Sequence, residues 1–222
     1  ANNWERPIYI DHSLVFTGNI FFLDWLQFEG LAYRFVPIKT PKQGVTAGRI
    51  DTDILYDNVM KKYVWGNVND PDIHMDEYNR KQIDIMQARY MFARLAQALV
   101  VEGKKEKAIE VADKMFELFP NESMPLDYNS FQMVDQYYRA GAIEKGNEIV
   151  RIMADNCFAM LDYFTSLPGN LAGAIESEQN RQISHLRNLV ILTRNYKQDD
   201  LYQEMDAKLQ ELIAALQAKS NS

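Results

Sequence analysis

The chain has 222 residues, of which 47% are hydrophobic and 25% are charged, values that are ordinary for a soluble globular protein. Its net charge of −7, without a clustered Lys/Arg face, argues against a nucleic-acid-binding protein. The single cysteine excludes an internal disulfide, and no segment approaches the roughly 18 consecutive apolar residues that a membrane-spanning helix needs.

The N-terminal third is predicted to mix short strands with short helices. Residues 7–10 and 31–38 are rich in β-branched and aromatic residues, so each predicts a strand. Residues 19–28 between them predict a short helix. Residues 39–50 are rich in turn-forming residues and predict a loop. Asp51 or Thr52 is expected to cap the helix that follows, whose predicted buried stripe is Ile54, Leu55, Val59 and Met60.

From residue 76 onward the hydrophobic pattern has the period of a helix throughout. The predicted helices cover residues 76–102, 105–119, 130–140, 144–164, 172–195 and 199–218. Gly103, Pro120 and Gly141 end three of them. The sequence therefore predicts a mainly α protein with about six long helices in residues 76–222. A small α+β segment with two short strands precedes them in residues 1–75.

Two of the helix pairs share a repeat pattern. Gly103 and Gly141 lie 38 residues apart, and apolar or small residues recur at matching offsets around them. The first copy, residues 89–122, resembles the tetratricopeptide repeat. The second copy is degenerate, and the third helix pair keeps little of the motif. The alternative is a generic antiparallel helical bundle. The motif positions of the first copy are Phe92, Leu95, Ala96, Leu99, Gly103, Ala108 and Pro120.

The first helix of each repeat offers candidate binding residues, because in helical-repeat proteins these helices line the surface that binds partners. A strip rich in Tyr and Arg suits a protein, peptide or glycan ligand. The alternative is that these side chains only pack against neighbouring helices. The candidates are Tyr90 and Gln97 in the first repeat and Phe131, Asp135, Tyr138 and Arg139 in the second.

The sequence contains few residue patterns that are typical of catalytic or metal-binding sites. None of the three histidines has a second His or Cys at the spacing of metal ligands. Asp72, His74 and Glu77 are the best candidates for an enzyme or metal site, but acidic residues just before a helix are more often caps. Neither a glycine-rich phosphate loop nor a nucleophile elbow is present. We therefore expect no catalytic residue, metal or cofactor. Cys157, in an apolar helical stretch, is expected to be a small buried side chain.

Three N-terminal stretches resemble one family. They are residues 3–9 (NWERPIY), residues 28–37 (FEGLAYRFVP) and several short pieces within residues 51–67. They look like the soluble C-terminal region of multi-spanning membrane proteins of Bacteroidetes-type bacteria. The function of that family is unknown, and its membrane part resembles protein O-mannosyltransferases. The resemblance covers roughly residues 3–120. Any catalytic residues of the family would lie in the membrane part, so none carries over to this chain.

The resemblance implies a domain tethered to the inner membrane, on its periplasmic side, that does not span the membrane itself. The leading hypothesis is a non-catalytic accessory domain of a glycosyltransferase-like membrane protein. It would hold a protein, peptide or glycan in its repeat groove and contact the membrane domain of its parent protein. The alternatives are a free-standing helical-repeat scaffold and a surface glycan-binding protein. An independent enzyme is the least favoured hypothesis.

Overall fold

The structure is a computed structural model that describes residues 5–17, 21–40, 47–70, 72–74, 76, 78, 88–126, 128–168 and 171–220. The chain is mainly helical with a small α+β segment near its N-terminus, as predicted, and the strands of that segment form an antiparallel sheet. It divides into two compact units, unit 1 (residues 1–123) and unit 2 (residues 124–222). The sequence predicts a boundary between residues 75 and 76. In the structure, the first pair of long helices instead belongs to unit 1 together with the N-terminal segment.

Unit 1 contains a three-stranded sheet in the order β1–β3–β2. The strands are β1 Tyr9–Asp11, β2 Leu26–Phe28 and β3 Ala32–Phe35. Central β3 pairs Tyr33 with Ile10 on one side and with Phe28 on the other. Two strands were predicted, at β1 and β3, and the structure adds β2.

The helix predicted over residues 19–28 is wrong for the residues that the structure describes there. A single 3-10 turn, Leu23–Trp25, leads directly into β2. All three residues of β2 are buried. A strand that is buried on both faces shows no polar–apolar alternation, so its sequence is hard to tell from that of a short buried helix.

Two short helices accompany the sheet, α1 His12–Thr17 and α2 Thr52–Asp57, and α2 continues as a π turn, Asn58–Lys62. The predicted cap is confirmed, because the carboxylate of Asp51 accepts a hydrogen bond from the backbone N–H of Ile54 at 3.2 Å. Leu55 and Val59 are buried as predicted. Ile54 is exposed, which corrects its predicted place in the buried stripe.

The long helices that the structure describes in unit 1 are α3 Ala88–Val101 and α4 Lys105–Leu118. The predicted start of the first of these, at residue 76, falls in a stretch that is largely outside the described residues. Their core includes the rings of Phe92 and Phe119, whose centroids lie 5.3 and 5.7 Å from that of Trp65. Aromatic pairs at such distances add to the stabilisation from buried area.

Arg94 joins α3 to the segment that runs beside β2. Its guanidinium donates to the carbonyl oxygens of Ala47 and Gly48 at 2.8 and 2.9 Å and lies 4.7 Å from the ring centre of Phe28. Arg94 is buried. Its charge is compensated by two carbonyls and an aromatic face, an arrangement that suits guanidinium better than ammonium.

Unit 2 consists of α5 Tyr128–Ala140, α6 Ile143–Ser166, α7 Ala172–Asn195 and α8 Asp199–Ser220. These bounds agree with the predicted ones to within two residues at each end. Cys157 of α6 is buried, as expected. The apolar core lies between the helices and includes Met133, Val134, Val150, Met153, Leu161, Leu186, Leu189, Leu201, Met205 and Leu209.

The turns α3–α4, α5–α6 and α7–α8 share one geometry. Each contains a residue with positive φ: Gly103 at 77°, Gly141 at 95° and Lys197 at 56°. In each, that residue donates its N–H to the carbonyl three positions back, and the next residue donates to the carbonyl five positions back. This hydrogen-bond pattern is that of a Schellman-type helix end. Helix-turn-helix pairing therefore extends to the third pair, and the tetratricopeptide assignment remains a prediction.

Candidate binding surfaces

The predicted residues of the first repeat are placed differently from one another. Gln97 is exposed on α3. Tyr90 is half-buried, and its ring centroid lies 6.1 Å from those of both Phe28 and His12. The guanidinium of Arg94 lies 5.6 Å from the centre of the Tyr90 ring. Tyr90 thus packs into the core of unit 1, in line with the alternative that such residues only pack.

The predicted residues of the second repeat all lie on α5, but one of them is buried. Asp135 and Arg139 have side chains that are 31% and 37% exposed, and Phe131 is half-buried. Tyr138 is only 3% exposed, so its expected place in an exposed strip is wrong. Its ring fits against Gly146 of α6, where an added Cβ would come within 2.8 Å of the ring.

Tyr138 belongs to a chain of hydrogen bonds that fixes the α7–α8 turn. Its hydroxyl donates to Oδ1 of Asn147 at 2.8 Å, and Nδ2 of Asn147 donates to Oε1 of Gln198 at 2.9 Å. Nε2 of Gln198 donates in turn to the carbonyl oxygen of Tyr196 at 2.8 Å. Burial raises the pKa of Tyr138 to about 12, so its hydroxyl remains a protonated donor well into the alkaline range.

The side chains that remain accessible beside Tyr138 form a polar–aromatic surface, here called the Tyr196 patch (Asp135, Arg139 and Tyr196). The hydroxyl of Tyr196 donates to Oδ1 of Asp135 at 2.7 Å, and Arg139 lies 3.9 Å from Oδ2 of the same carboxylate. The ring of Tyr196 stacks on that of Tyr138, with centroids 4.6 Å apart. Partial burial and the Asp135 carboxylate raise the pKa of Tyr196.

The Tyr196 patch has the chemistry of a recognition surface that is ordered before its ligand arrives. It combines a half-buried aromatic ring, a carboxylate and a guanidinium, each held by an internal contact. Preordered side chains lose less conformational entropy on binding. An aromatic ring beside hydrogen-bonding groups suits a sugar or a peptide.

Tyr196 was not among the predicted residues, because it lies in the turn between two predicted helices and the predicted residues all lie on the first helix of a repeat. The available signal was a large aromatic residue between Asn195 and Lys197, in a stretch whose other residues are polar. Aromatic residues in turns are unusual unless they pack or bind.

A second polar cluster covers one face of the N-terminal sheet. The register aligns Tyr9, Arg34, Gln27 and Arg49 in one row across the strands. Oε2 of Glu29 accepts a hydrogen bond from the hydroxyl of Tyr9 at 3.0 Å, and Oε1 accepts one from Gln27 at 2.7 Å. Arg34 lies 3.8 Å from Glu29, and Arg49 donates to Gln27 at 2.8 Å. These internal partners make the cluster a stabilising element of the sheet, with Tyr9 as its most exposed member.

The turn after β2 explains why Gly30 follows Glu29. Gly30 has φ of 109°, and an added Cβ would lie 2.6 Å from the hydroxyl oxygen of Tyr63 and 2.8 Å from Sδ of Met91. The carbonyl oxygen of Glu29 accepts hydrogen bonds from Tyr63 at 2.6 Å and from Asn58 at 3.1 Å. A residue other than glycine would therefore be strained and would also clash.

Residues 1–54, which include this sheet, match the family model TMEM260-associated domain 2. The match covers 54 of the 222 residues. The N-terminal part of the chain thus resembles a domain associated with a membrane-protein family. No curated protein matches the chain, and no solved structure does.

The acidic stretch before α3 forms no metal site among the residues that the structure describes. Asp72 and His74 are both exposed, and Glu77 lies outside the described residues. The carboxylate of Asp70 accepts a hydrogen bond from the backbone N–H of Asp72 at 3.0 Å, a local turn contact. No helix in the described ranges is long and apolar enough to cross a membrane.

Proposed function

We propose that this chain is a non-catalytic accessory domain of a larger, glycosyltransferase-like membrane protein, and that it holds a protein, peptide or glycan ligand for that protein. The domain lies on the periplasmic side of the inner membrane and contacts the membrane domain of its parent. The match of residues 1–54 to a TMEM260-associated domain supports the link to a membrane protein. Helix-turn-helix pairs, which are common in binding modules, support the binding role.

The Tyr196 patch is the observation that carries the binding role. It corrects the predicted groove, because Tyr138 supports the surface from below while Tyr196 supplies the accessible ring. Asp135 and Arg139 keep their predicted roles as ligand-contacting residues. Tyr90 and Gln97 belong to unit 1, and half-buried Phe131 lies one helical turn before Asp135 on α5.

The link to a membrane protein is tested on the native gene. We expect the reading frame upstream of Ala1 to encode several membrane-spanning segments and the full-length protein to sediment with the inner membrane. A short secretion signal immediately upstream would contradict the tether. It would favour the free-standing scaffold or the surface glycan-binding protein.

The binding role is tested by site-specific photo-crosslinking in the full-length protein in its native membranes. A photoreactive phenylalanine derivative at Gln132, an exposed position one turn before Asp135 on α5, is expected to capture a ligand, and mass spectrometry then distinguishes a polypeptide from a glycan. The control places the same group at Gln203, an exposed position of α8. Equal capture at both positions, or none at position 132, would remove the Tyr196 patch as the binding surface.

A matched substitution checks the chemistry of the patch. Arg139→Ala is expected to weaken binding of the captured ligand by about 10-fold, as for loss of a charge-assisted hydrogen bond. Arg187→Ala, which removes an exposed arginine from α7, is expected to leave binding unchanged. Similar effects of the two substitutions would indicate a general charge effect instead.

A further inference from the structure

Helices α6 and α8 of unit 2 lie side by side and run in the same direction. Arg151 of α6 pairs with Glu204 of α8 at 2.7 Å, and the ammonium group of Lys208 lies 4.1 Å from the ring centre of Phe158. The later residue on α6 contacts the later residue on α8, which shows that the two helices are parallel. Between the two helices lies a groove that is distinct from the Tyr196 patch.

Ten of the thirteen groove-lining residues follow heptad spacing. On α6 these lie at positions 151, 155, 158, 162 and 165, and on α8 at positions 201, 205, 208, 212 and 215; Ala154, Glu204 and Glu211 line the groove beside these two stripes. Both series alternate steps of four and three residues, the spacing that keeps one stripe of a helix facing a partner helix in a coiled coil. The two stripes therefore form a seam that a third helix can complete.

The groove widens toward the C-terminal ends of the two helices. Near Phe158, Leu201 and Met205, all buried, its cavity measures only about 80 Å³. Past Lys208 the cavity reaches about 450 Å³, within the range of roughly 300–1,000 Å³ that is typical of ligand pockets. Leu212 is half-buried there and Ala215 is exposed. The wide end thus has room for side chains from another molecule.

The charges along the groove are mainly acidic. Its two basic residues are engaged, Arg151 with Glu204 and Lys208 over an aromatic ring. Within the described part of the chain, the carboxylates of Asp155, Asp162 and Glu211 have no ion-pair partner. Asp155 and Asp162 are seven residues apart, or about 10 Å along the helix. A groove with an apolar floor and acidic walls favours a basic occupant.

We propose that the wide end of the α6–α8 groove docks a basic amphipathic helix of a partner protein. The apolar stripe of that helix packs on Leu212 and Ala215, and its Lys or Arg residues lie against Asp162 and Glu211. This is the helix-in-groove mode of recognition, with anchors every three or four residues. A second copy of the chain fits less well because each copy carries a net charge of −7.

The proposal is tested with the complete chain and a defined probe. The probe is a fluorescent helical peptide of roughly 18 residues, with Leu at alternating steps of three and four and Lys elsewhere, and its binding is followed by anisotropy. The control peptide has Glu in place of every Lys. The Lys peptide is expected to bind at least about 10-fold more tightly than the Glu peptide. Absence of binding by the Lys peptide would overturn the proposal.

Charge reversal separates the groove from the general acidity of the chain. Glu211→Lys is expected to weaken binding of the Lys peptide by about fivefold, since it replaces an attraction with a repulsion. Glu176→Lys makes the same charge change at an exposed position of α7, away from the groove, and is expected to leave binding within about twofold. Equal losses in both variants would overturn the proposal.

A third variant tests the cavity itself. Ala215 is exposed, so Ala215→Trp fills the wide end without disturbing the core and is expected to weaken binding by more than about 10-fold. Sedimentation of the chain alone tests the other occupant. A dimer that Ala215→Trp dissociates and that the Lys peptide does not displace would assign the groove to a second copy, against the proposal.

Discussion

Gly30 shows how a single backbone conformation organises the N-terminal sheet. Its positive φ allows the tight turn between β2 and β3, and its missing side chain lets Tyr63 and Met91 approach. Tyr63 then reaches the carbonyl oxygen of Glu29. One glycine thus connects the sheet to α3 and to the segment after α2.

We expect Gly30→Ala to lower the free energy of unfolding by about 2–4 kcal/mol, because backbone strain and overpacking act together. Urea denaturation measures the change. Gly66→Ala is the control, since Gly66 also has a positive φ but a Cβ there would meet nothing within 4 Å. It should cost only about 1–2 kcal/mol. Equal losses in the two variants would show that the close contacts at Gly30 contribute nothing.

Tyr138 makes stability depend on pH in the alkaline range. Its pKa is raised from 10.0 to about 12 by burial, so the folded state keeps a proton that the unfolded state releases. The stabilisation is complete below pH 10 and is lost as the pH rises toward 12. By pH 11 the loss is about 1 kcal/mol.

Urea unfolding at pH 9 and pH 11 tests this behaviour. Tyr138→Phe should reduce the loss of stability between the two pH values by about 1 kcal/mol. Tyr163→Phe, at an exposed tyrosine of α6, should leave that loss as it is in the wild type. A Tyr138→Phe protein with the full wild-type loss would contradict the role of Tyr138.

The residue scale also shows why the candidate site was predicted only in part. Position along α5 correctly indicated that Asp135 and Arg139 are accessible. It could not show that Gly146 leaves a space into which Tyr138 fits, because that space depends on the neighbouring helix. Nor could it bring Tyr196 beside Asp135, since 61 residues separate the two along the chain.

At the scale of elements, the helices were predictable because each has a long amphipathic period with clear ends. The N-terminal sheet was harder, since β2 is three residues long and buried on both faces. The third helix pair was not predicted as a repeat, for a different reason. Its turn has Lys197 at the left-handed position, where the first two pairs have Gly103 and Gly141. The glycine that defines the repeat pattern is therefore absent from the third pair.

We therefore expect Lys197→Gly to raise the free energy of unfolding by about 1 kcal/mol, because glycine adopts a left-handed conformation without Cβ strain. Gly103→Ala and Gly141→Ala should change it by a similar amount in the opposite direction. A Cβ at either glycine would meet nothing within 4 Å, so strain alone is measured. No gain for Lys197→Gly would mean that its side chain stabilises the turn.

At the scale of the whole molecule, the two compact units predict separable local stabilities. Gly30→Ala strains only unit 1, so hydrogen exchange should accelerate in residues 1–123 and stay unchanged in residues 124–222. Mass spectrometry of peptic fragments resolves the two. Gly146→Ala is the reciprocal variant, since an added Cβ would meet Tyr138 inside unit 2. Acceleration across both units in either variant would show that they open together.

The buried thiol of Cys157 can report the opening of unit 2. Because it is the only cysteine in the chain, a thiol-specific reagent modifies one site and yields one rate. Burial within α6 means that the reagent reacts when this unit opens, so the labelling rate reads the opening equilibrium without any engineered label. A ligand that binds folded unit 2 lowers the rate at which Cys157 is labelled, whether it occupies the Tyr196 patch or the α6–α8 groove.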